Sequence, residues 1–69
     1  MEPSYERYKS FRDKLGVTDA MVAEQTEITP STFTEWKSGR SLPKAGKLYK
    51  IAQYFDCHIE DLLGKEETI

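Results

Sequence analysis

The stretch Ile28-Thr29-Pro30-Ser31-Thr32-Phe33-Thr34-Glu35-Trp36-Lys37-Ser38-Gly39-Arg40 decides how the rest of the chain is read. It carries the marks of a short helix at both ends. Thr29 suits the N-cap, where its hydroxyl can accept from an unpaired backbone N–H of the first turn. Pro30 then falls at the first helical position, where a missing N–H costs nothing and the fixed φ matches the helix. Ile28 just outside the cap and Phe33 inside it have the spacing of a hydrophobic staple. Gly39 supplies the left-handed residue that ends the helix. Phe33 and Trp36, three apart, share one face and belong inward. The opposite face carries Ser31, Thr34, Glu35 and Ser38, all small or polar. The expected object is a short rod held by its aromatic back, with a hydrophilic rim turned outward.

On the N-terminal side, a second helix is predicted from the cap Thr18 to about Thr26, with Val17 and Val22 at staple spacing. Only Glu27 and Ile28 separate it from Thr29, so the two helices must cross steeply. A first helix is predicted over Tyr5–Leu15, capped by Ser4 and ended by Gly16. Tyr8, Phe11 and Leu15 recur at i, i+3 and i+7 as one apolar stripe. On the C-terminal side, a loop holds Arg40, Ser41 and Pro43. A fourth helix follows over roughly Lys44–Phe55, with Leu48, Ile51, Ala52 and Phe55 inward and Tyr49 and Tyr54 beside them. Asp56 marks its end. A short fifth helix is predicted over about Ile59–Leu63, with Cys57 and Leu62 as its staple and Glu60 and Asp61 in the first turn, where the helix dipole favours anions. Gly64 stops it. Lys65 to Ile69 reads as a frayed tail or the start of a linker. The expectation is a single all-α domain over residues 1–69, a compact five-helix unit.

Composition narrows the function classes. A chain of 69 residues buries only about 60% of its extended-chain surface, enough for one small core. Its 38% hydrophobic content is that of a folded domain. The longest apolar run, Ala20 to Ala23, cannot span a membrane. The start Met1-Glu2-Pro3-Ser4 has no basic, apolar leader, so a cytoplasmic location is expected. The single cysteine, Cys57, forms no internal disulfide. Asp56-Cys57-His58 is no metal motif, because adjacent residues rarely converge and two soft ligands fall short of the usual four for zinc. Gly-rich phosphate loops and nucleophile motifs are absent. No enzyme activity, cofactor or small-molecule substrate is expected.

The net charge of −2 conceals an asymmetry. Residues 29–50 hold Lys37, Arg40, Lys44, Lys47 and Lys50 against Glu35 alone. The flanking segments are both acidic. A cationic block that starts at the marked helix is what contact with a phosphate backbone requires.

The run Val17-Thr18, Val22-Ala23-Glu24, Ile28-Thr29, Ser31 to Arg40, Leu42-Pro43, Leu48, Ile51-Ala52 and Leu62-Leu63-Gly64 resembles the phage Cro/CI repressor type of helix-turn-helix protein, an XRE-like, lambda-repressor-like pattern covering residues 5–64. The resemblance implies that the second and third helices form the DNA-binding unit, with the third in the major groove. On this chain it assigns base reading to Pro30, Ser31, Thr34 and Glu35. Phosphate contacts fall to Thr18, Thr32, Lys37, Ser38, Arg40 and Lys44. Several positions depart from the pattern. Asp19 stands where the family often has a phosphate-contacting glutamine, Glu27 replaces the turn glycine, and Thr26 replaces a packed leucine. Lys44 and His58 replace serine caps.

The expected function is therefore sequence-specific binding of double-stranded DNA by a transcriptional regulator, of repressor type. Serine, threonine and one glutamate make few bidentate contacts, so base discrimination should be modest. Glu35 can instead pair with a basic neighbour. One recognition helix reads few base pairs, so a homodimer on two half-sites is expected, with Leu62, Leu63 and Ile69 as candidate contacts. A helix-turn-helix module for protein contact, antitoxin-like or regulator-binding, is the alternative.

Overall fold

The computed structural model describes residues 2–64. Four α-helices follow one another: α1 (Tyr5–Leu15), α2 (Asp19–Thr26), α3 (Pro30–Ser38) and α4 (Ala45–Phe55). A 3-10 turn over Ile59–Leu62 closes the described chain. The all-α reading holds, but the expected fifth α-helix is this single turn. Its end has a tertiary cause. Leu63 is already extended, with φ −94° and ψ 138°, because it pairs with Pro3 in an isolated antiparallel bridge. The Ser4 N–H donates to the Leu62 carbonyl at 2.8 Å and the Gly64 N–H to the Glu2 carbonyl at 2.7 Å. These two bonds take the chain away from the helical path and strap the two ends together.

Two caps behave as their residue types dictate. Ser4 Oγ accepts from the Arg7 N–H at 3.3 Å and Thr18 Oγ1 from the Met21 N–H at 3.2 Å. Thr29 does not: its hydroxyl lies 3.5 Å from that of Thr32 and caps no backbone N–H. The start of α3 rests on Pro30 and on the buried staple pair Ile28 and Phe33 instead. The backbone N–H of His58, the N-cap, donates to the carboxylate of Asp61 at 3.0 Å, the reach-back half of a capping box.

The core gathers Tyr8, Val22, Phe33, Trp36, Ile51 and Leu62 from all five elements. Tyr8, fully buried, lies at its aromatic centre, 5.1 Å from Trp36 and 5.4 Å from Phe33 between ring centroids. Phe11 meets Phe55 at 5.9 Å, but Leu15 is 54% exposed. The expected stripe therefore ends one turn early: Leu15, the last residue of α1, rims a shallow recess beside Phe11 and Phe55. Leu62 is 0% exposed. It cannot be the dimer contact expected of it, since its side chain is spent on the protomer's own core. Ile69 lies outside the described residues.

The turn between α2 and α3 is tight because Glu27 takes a left-handed conformation, φ 60° and ψ 35°. That lets the Ile28 N–H reach the Ala23 carbonyl at 3.0 Å and close the helix end. The turn glycine is replaced, and the backbone keeps the glycine's shape at the expense of strain. Thr26, buried behind it, satisfies its hydroxyl on the Val22 carbonyl at 2.6 Å. An L-residue in this region costs about 1–2 kcal/mol, part of which glycine returns through its freer unfolded chain. Glu27→Gly is expected to raise stability by roughly 0.5–1 kcal/mol. Thermal unfolding followed by circular dichroism checks this. An unchanged or lower melting temperature would mean that the turn is unstrained.

Candidate nucleic-acid interface

The rim of α3 follows from its register. With Phe33 and Trp36 buried, helical geometry turns Ser31, Thr34, Glu35 and Ser38 to the far side, and all four are exposed. Pro30 is exposed at the first helical position, and Thr32 is half-buried at the flank. The indole N–H of Trp36 donates to the Pro3 carbonyl at 3.3 Å, so the back of α3 is fixed both by packing and by the N-terminal strap. The rim is thus carried on a braced element, as precise positioning of recognition side chains demands.

The end of α3 also places its cations. Gly39 is left-handed at φ 80°. The Arg40 N–H then reaches back to the Glu35 carbonyl at 2.9 Å, and the Ser41 N–H points to the same oxygen at 3.3 Å. Ser38 Oγ donates to it as well, at 3.1 Å. One carbonyl therefore anchors the loop that carries Arg40 out of the helix. Lys37 lies in the last turn, and Lys44 takes the N-cap position of α4 without a side-chain cap bond. All three cations are exposed. Among the described residues, the ion pairs fall on Lys9, Arg12, Asp13 and Asp19 and leave Glu35, Lys37, Arg40 and Lys44 without one. The cationic block does not all lie together. Lys50 stands apart, with Gln25 and Glu27 around a recess between α2 and α4.

Asp19, which stands where the resemblance expects a phosphate-contacting glutamine, has a different task. Its Oδ1 accepts from the Tyr8 hydroxyl at 2.6 Å and from Arg12 Nη1 at 2.8 Å. Its Oδ2 accepts from the Tyr5 hydroxyl at 2.7 Å. Arg12 Nη1 also donates to the Tyr5 oxygen at 3.1 Å. The first residue of α2 is thereby clamped to three successive turns of α1. Burial on its own would raise the Asp19 carboxyl, but the bonds from Tyr8, Arg12 and Tyr5 outweigh it and hold the group below its ordinary value. Burial, then the bond to Asp19, pushes the Tyr8 phenol up. The charge that α2 offers to a phosphate is offset by Arg12 in the same cluster. A signal existed in the sequence: Tyr5, Tyr8 and Arg12 share one stripe of α1, a polar seam that needed a partner. Thr18, beside Asp19, is exposed, and its hydroxyl still has a proton to donate.

The helix-turn-helix domain family matches residues 5–67 of the chain. Over 64 residues the chain is 30% identical to the HTH-type transcriptional activator BcrR of Enterococcus faecalis, covering 93% of itself and 31% of that protein. Over 63 residues it is 30% identical to the cryptic phage CTXphi transcriptional repressor RstR of Vibrio cholerae, covering 91% of itself and 56% of that protein. It therefore spans about a third of one relative and somewhat over half of the other. A solution structure of the SOS-response transcriptional repressor LexA from Eubacterium rectale superposes with a TM-score of 0.76 at 28% identity, covering 94% of this chain and 73% of that one.

Asp19→Asn is expected to cost about 1–3 kcal/mol, since it leaves two phenols and Arg12 without their charged acceptor. The sign with pH follows from the lowered carboxyl. Its contribution is complete above the unfolded value near pH 4 and is lost as pH falls through the lower folded value. Urea titrations at pH 7 and pH 3 check this: the destabilisation should shrink in acid, and a gap equal at both values would sink the clamp.

Proposed function

The chain belongs to the helix-turn-helix family and is a DNA-binding domain of the transcription-regulator type, and we propose that it represses transcription by occupying a short duplex operator with α3 in the major groove. The observation that supports this reading is the exposed rim of α3 with three cations at and just beyond its end, Lys37, Arg40 and Lys44, which form no ion pair among the described residues. Pro30, Ser31, Thr34 and Glu35 face the base edges. Pro30 and the Thr34 methyl suit thymine methyls, the hydroxyls form single tolerant bonds, and Glu35 accepts from a cytosine amino group. Thr18, Thr32, Lys37, Ser38, Arg40 and Lys44 hold phosphates on either side, which fixes register and gives affinity without sequence information.

The site is built to bind rather than to react, and the domain acts without enzymatic chemistry in the cytoplasm. Residues 1–69 work as one reading unit, taken up twice in a homodimer over two half-sites about one helical turn apart. The relatives include an activator and a repressor; repression fits a small reading domain because occupancy alone blocks a promoter. The protein-contact alternative draws no support from relatives whose names are those of transcription regulators.

Selection from a random duplex pool by gel shift, at two salt concentrations, tests the reading. A palindromic site should be enriched, and absence of binding even at low salt would overturn it. Arg40→Ala is expected to weaken binding to all sequences alike and to lower the salt slope by about one. Glu35→Ala should instead alter preference at one position, by about 1–3 kcal/mol. An identical sequence profile for wild type and Glu35→Ala would remove Glu35 from the reading set.

A further inference from the structure

Two side chains of α1 each reach both helices of the α2–α3 pair. The Tyr8 ring stacks on the Trp36 indole, 5.1 Å between centroids and 30° between planes, while its hydroxyl donates to Asp19 Oδ1 at 2.6 Å. The Tyr5 ring meets the same indole edge-on, at 5.6 Å and 85°, and its hydroxyl donates to Asp19 Oδ2 at 2.7 Å. Each phenol therefore spans from the first residue of α2 to the back of α3. The two rings pack on each other at 5.3 Å. The indole N–H is taken in turn by the Pro3 carbonyl, just before α1.

Packing alone calls for neither hydroxyl. Phenylalanine would fill the same space, and a phenol put there obliges the fold to supply an acceptor. Ring burial is non-directional and tolerates sliding, whereas a short hydrogen bond holds its partners in distance and angle. Buried polar groups that are fully satisfied select one arrangement of the elements they join. What these two select is the offset between the start of α2 and the register of α3. Thr18, exposed next to Asp19, stands at one end of that offset; Ser31, Thr34 and Glu35, exposed on the far side of α3 from Trp36, stand at the other.

We propose that Tyr5 and Tyr8 are specificity-determining positioning residues: acting through Asp19 and Trp36, they set the spacing between the phosphate contact at Thr18 and the base-reading rim of α3. The assignment rests on the DNA reading above. Phosphate contacts carry no sequence information and fix only where the domain sits. Base edges are read by hydrogen bonds of narrow geometry, which a displaced rim loses first. A loosened span therefore costs discrimination before it costs affinity.

Binding to the selected operator and to a scrambled duplex, measured for wild type, Tyr5→Phe, Tyr8→Phe and the double variant, tests the assignment. The readout is the ratio of the two dissociation constants. Each single variant should lower the ratio by about threefold and the double variant by about tenfold, the worth of one base contact. Affinity for the scrambled duplex and its salt slope should stay those of wild type. Urea titrations at the assay temperature establish that each variant is folded. Ile51→Val, in the core on α4, lowers stability without touching a hydroxyl and should keep the wild-type ratio. Should the double variant fail to fold, Tyr5→Phe, at a half-buried position, must lower the ratio by itself. Variants that keep the wild-type ratio overturn the proposal. So does a loss by the same factor on both duplexes, or an Ile51→Val ratio as low as that of the phenol variants, since a purely structural role predicts either. A wild type with no preference among duplexes overturns the DNA reading and this assignment with it; a wild type that prefers its operator, matched by its variants, overturns this assignment alone.

Discussion

Tyr8 carries two constraints at once, and the arrangement of the helices depends on both. Its ring is fully buried against Trp36 and Phe33, which sets the back of α3. Its hydroxyl cannot be left bare in that position, because an unpaired buried donor costs about 1–3 kcal/mol. It is therefore tied to Asp19, at the first residue of α2. One side chain of α1 thus fixes the start of one helix of the pair and the underside of the other. The crossing of α2 and α3 is held from outside as well as by the turn between them.

A core this small has little redundancy, and the chain compensates at its edges. The strap of residues 2–4 against Leu62–Gly64 joins the two ends of the domain, and Trp36 bonds to the same strap through Pro3. Separately, the Glu35 carbonyl collects the donors of Ser38, Arg40 and Ser41. These contacts use backbone groups that the short elements leave unpaired. Each one also stiffens the frame behind the rim of α3. Stability and positioning are served by the same bonds.

The charge distribution follows the same division. Asp19, at the start of α2, is neutralised by Arg12, while Glu24, Glu27 and Glu35 are exposed to solvent. The cations that flank the rim carry no such partners among the described residues. An acidic protein can therefore offer a local surface suited to phosphates, because screening limits the reach of distant carboxylates to about a Debye length. The net charge is a poor guide to such a surface, and the local arrangement decides.

Much of this was legible in the residues from 17 to 40. Staples at Val17/Val22 and Ile28/Phe33, Pro30 at the first helical position and Gly39 at the end all act between near neighbours, so spacing alone placed α2, α3 and the outward rim. The fate of Asp19 was not legible, because its partners lie 11 and 14 residues away on another helix. The bond from Trp36 to Pro3 spans 33 residues, and the strap that cuts the last helix to one turn joins opposite ends of the described chain. Leu62 and Leu63 look alike in sequence, yet one is sealed in the core and the other lines an open groove. Helical periodicity records which neighbours share a face. Which faces meet, and which polar groups they must satisfy on meeting, is settled only when the whole chain packs.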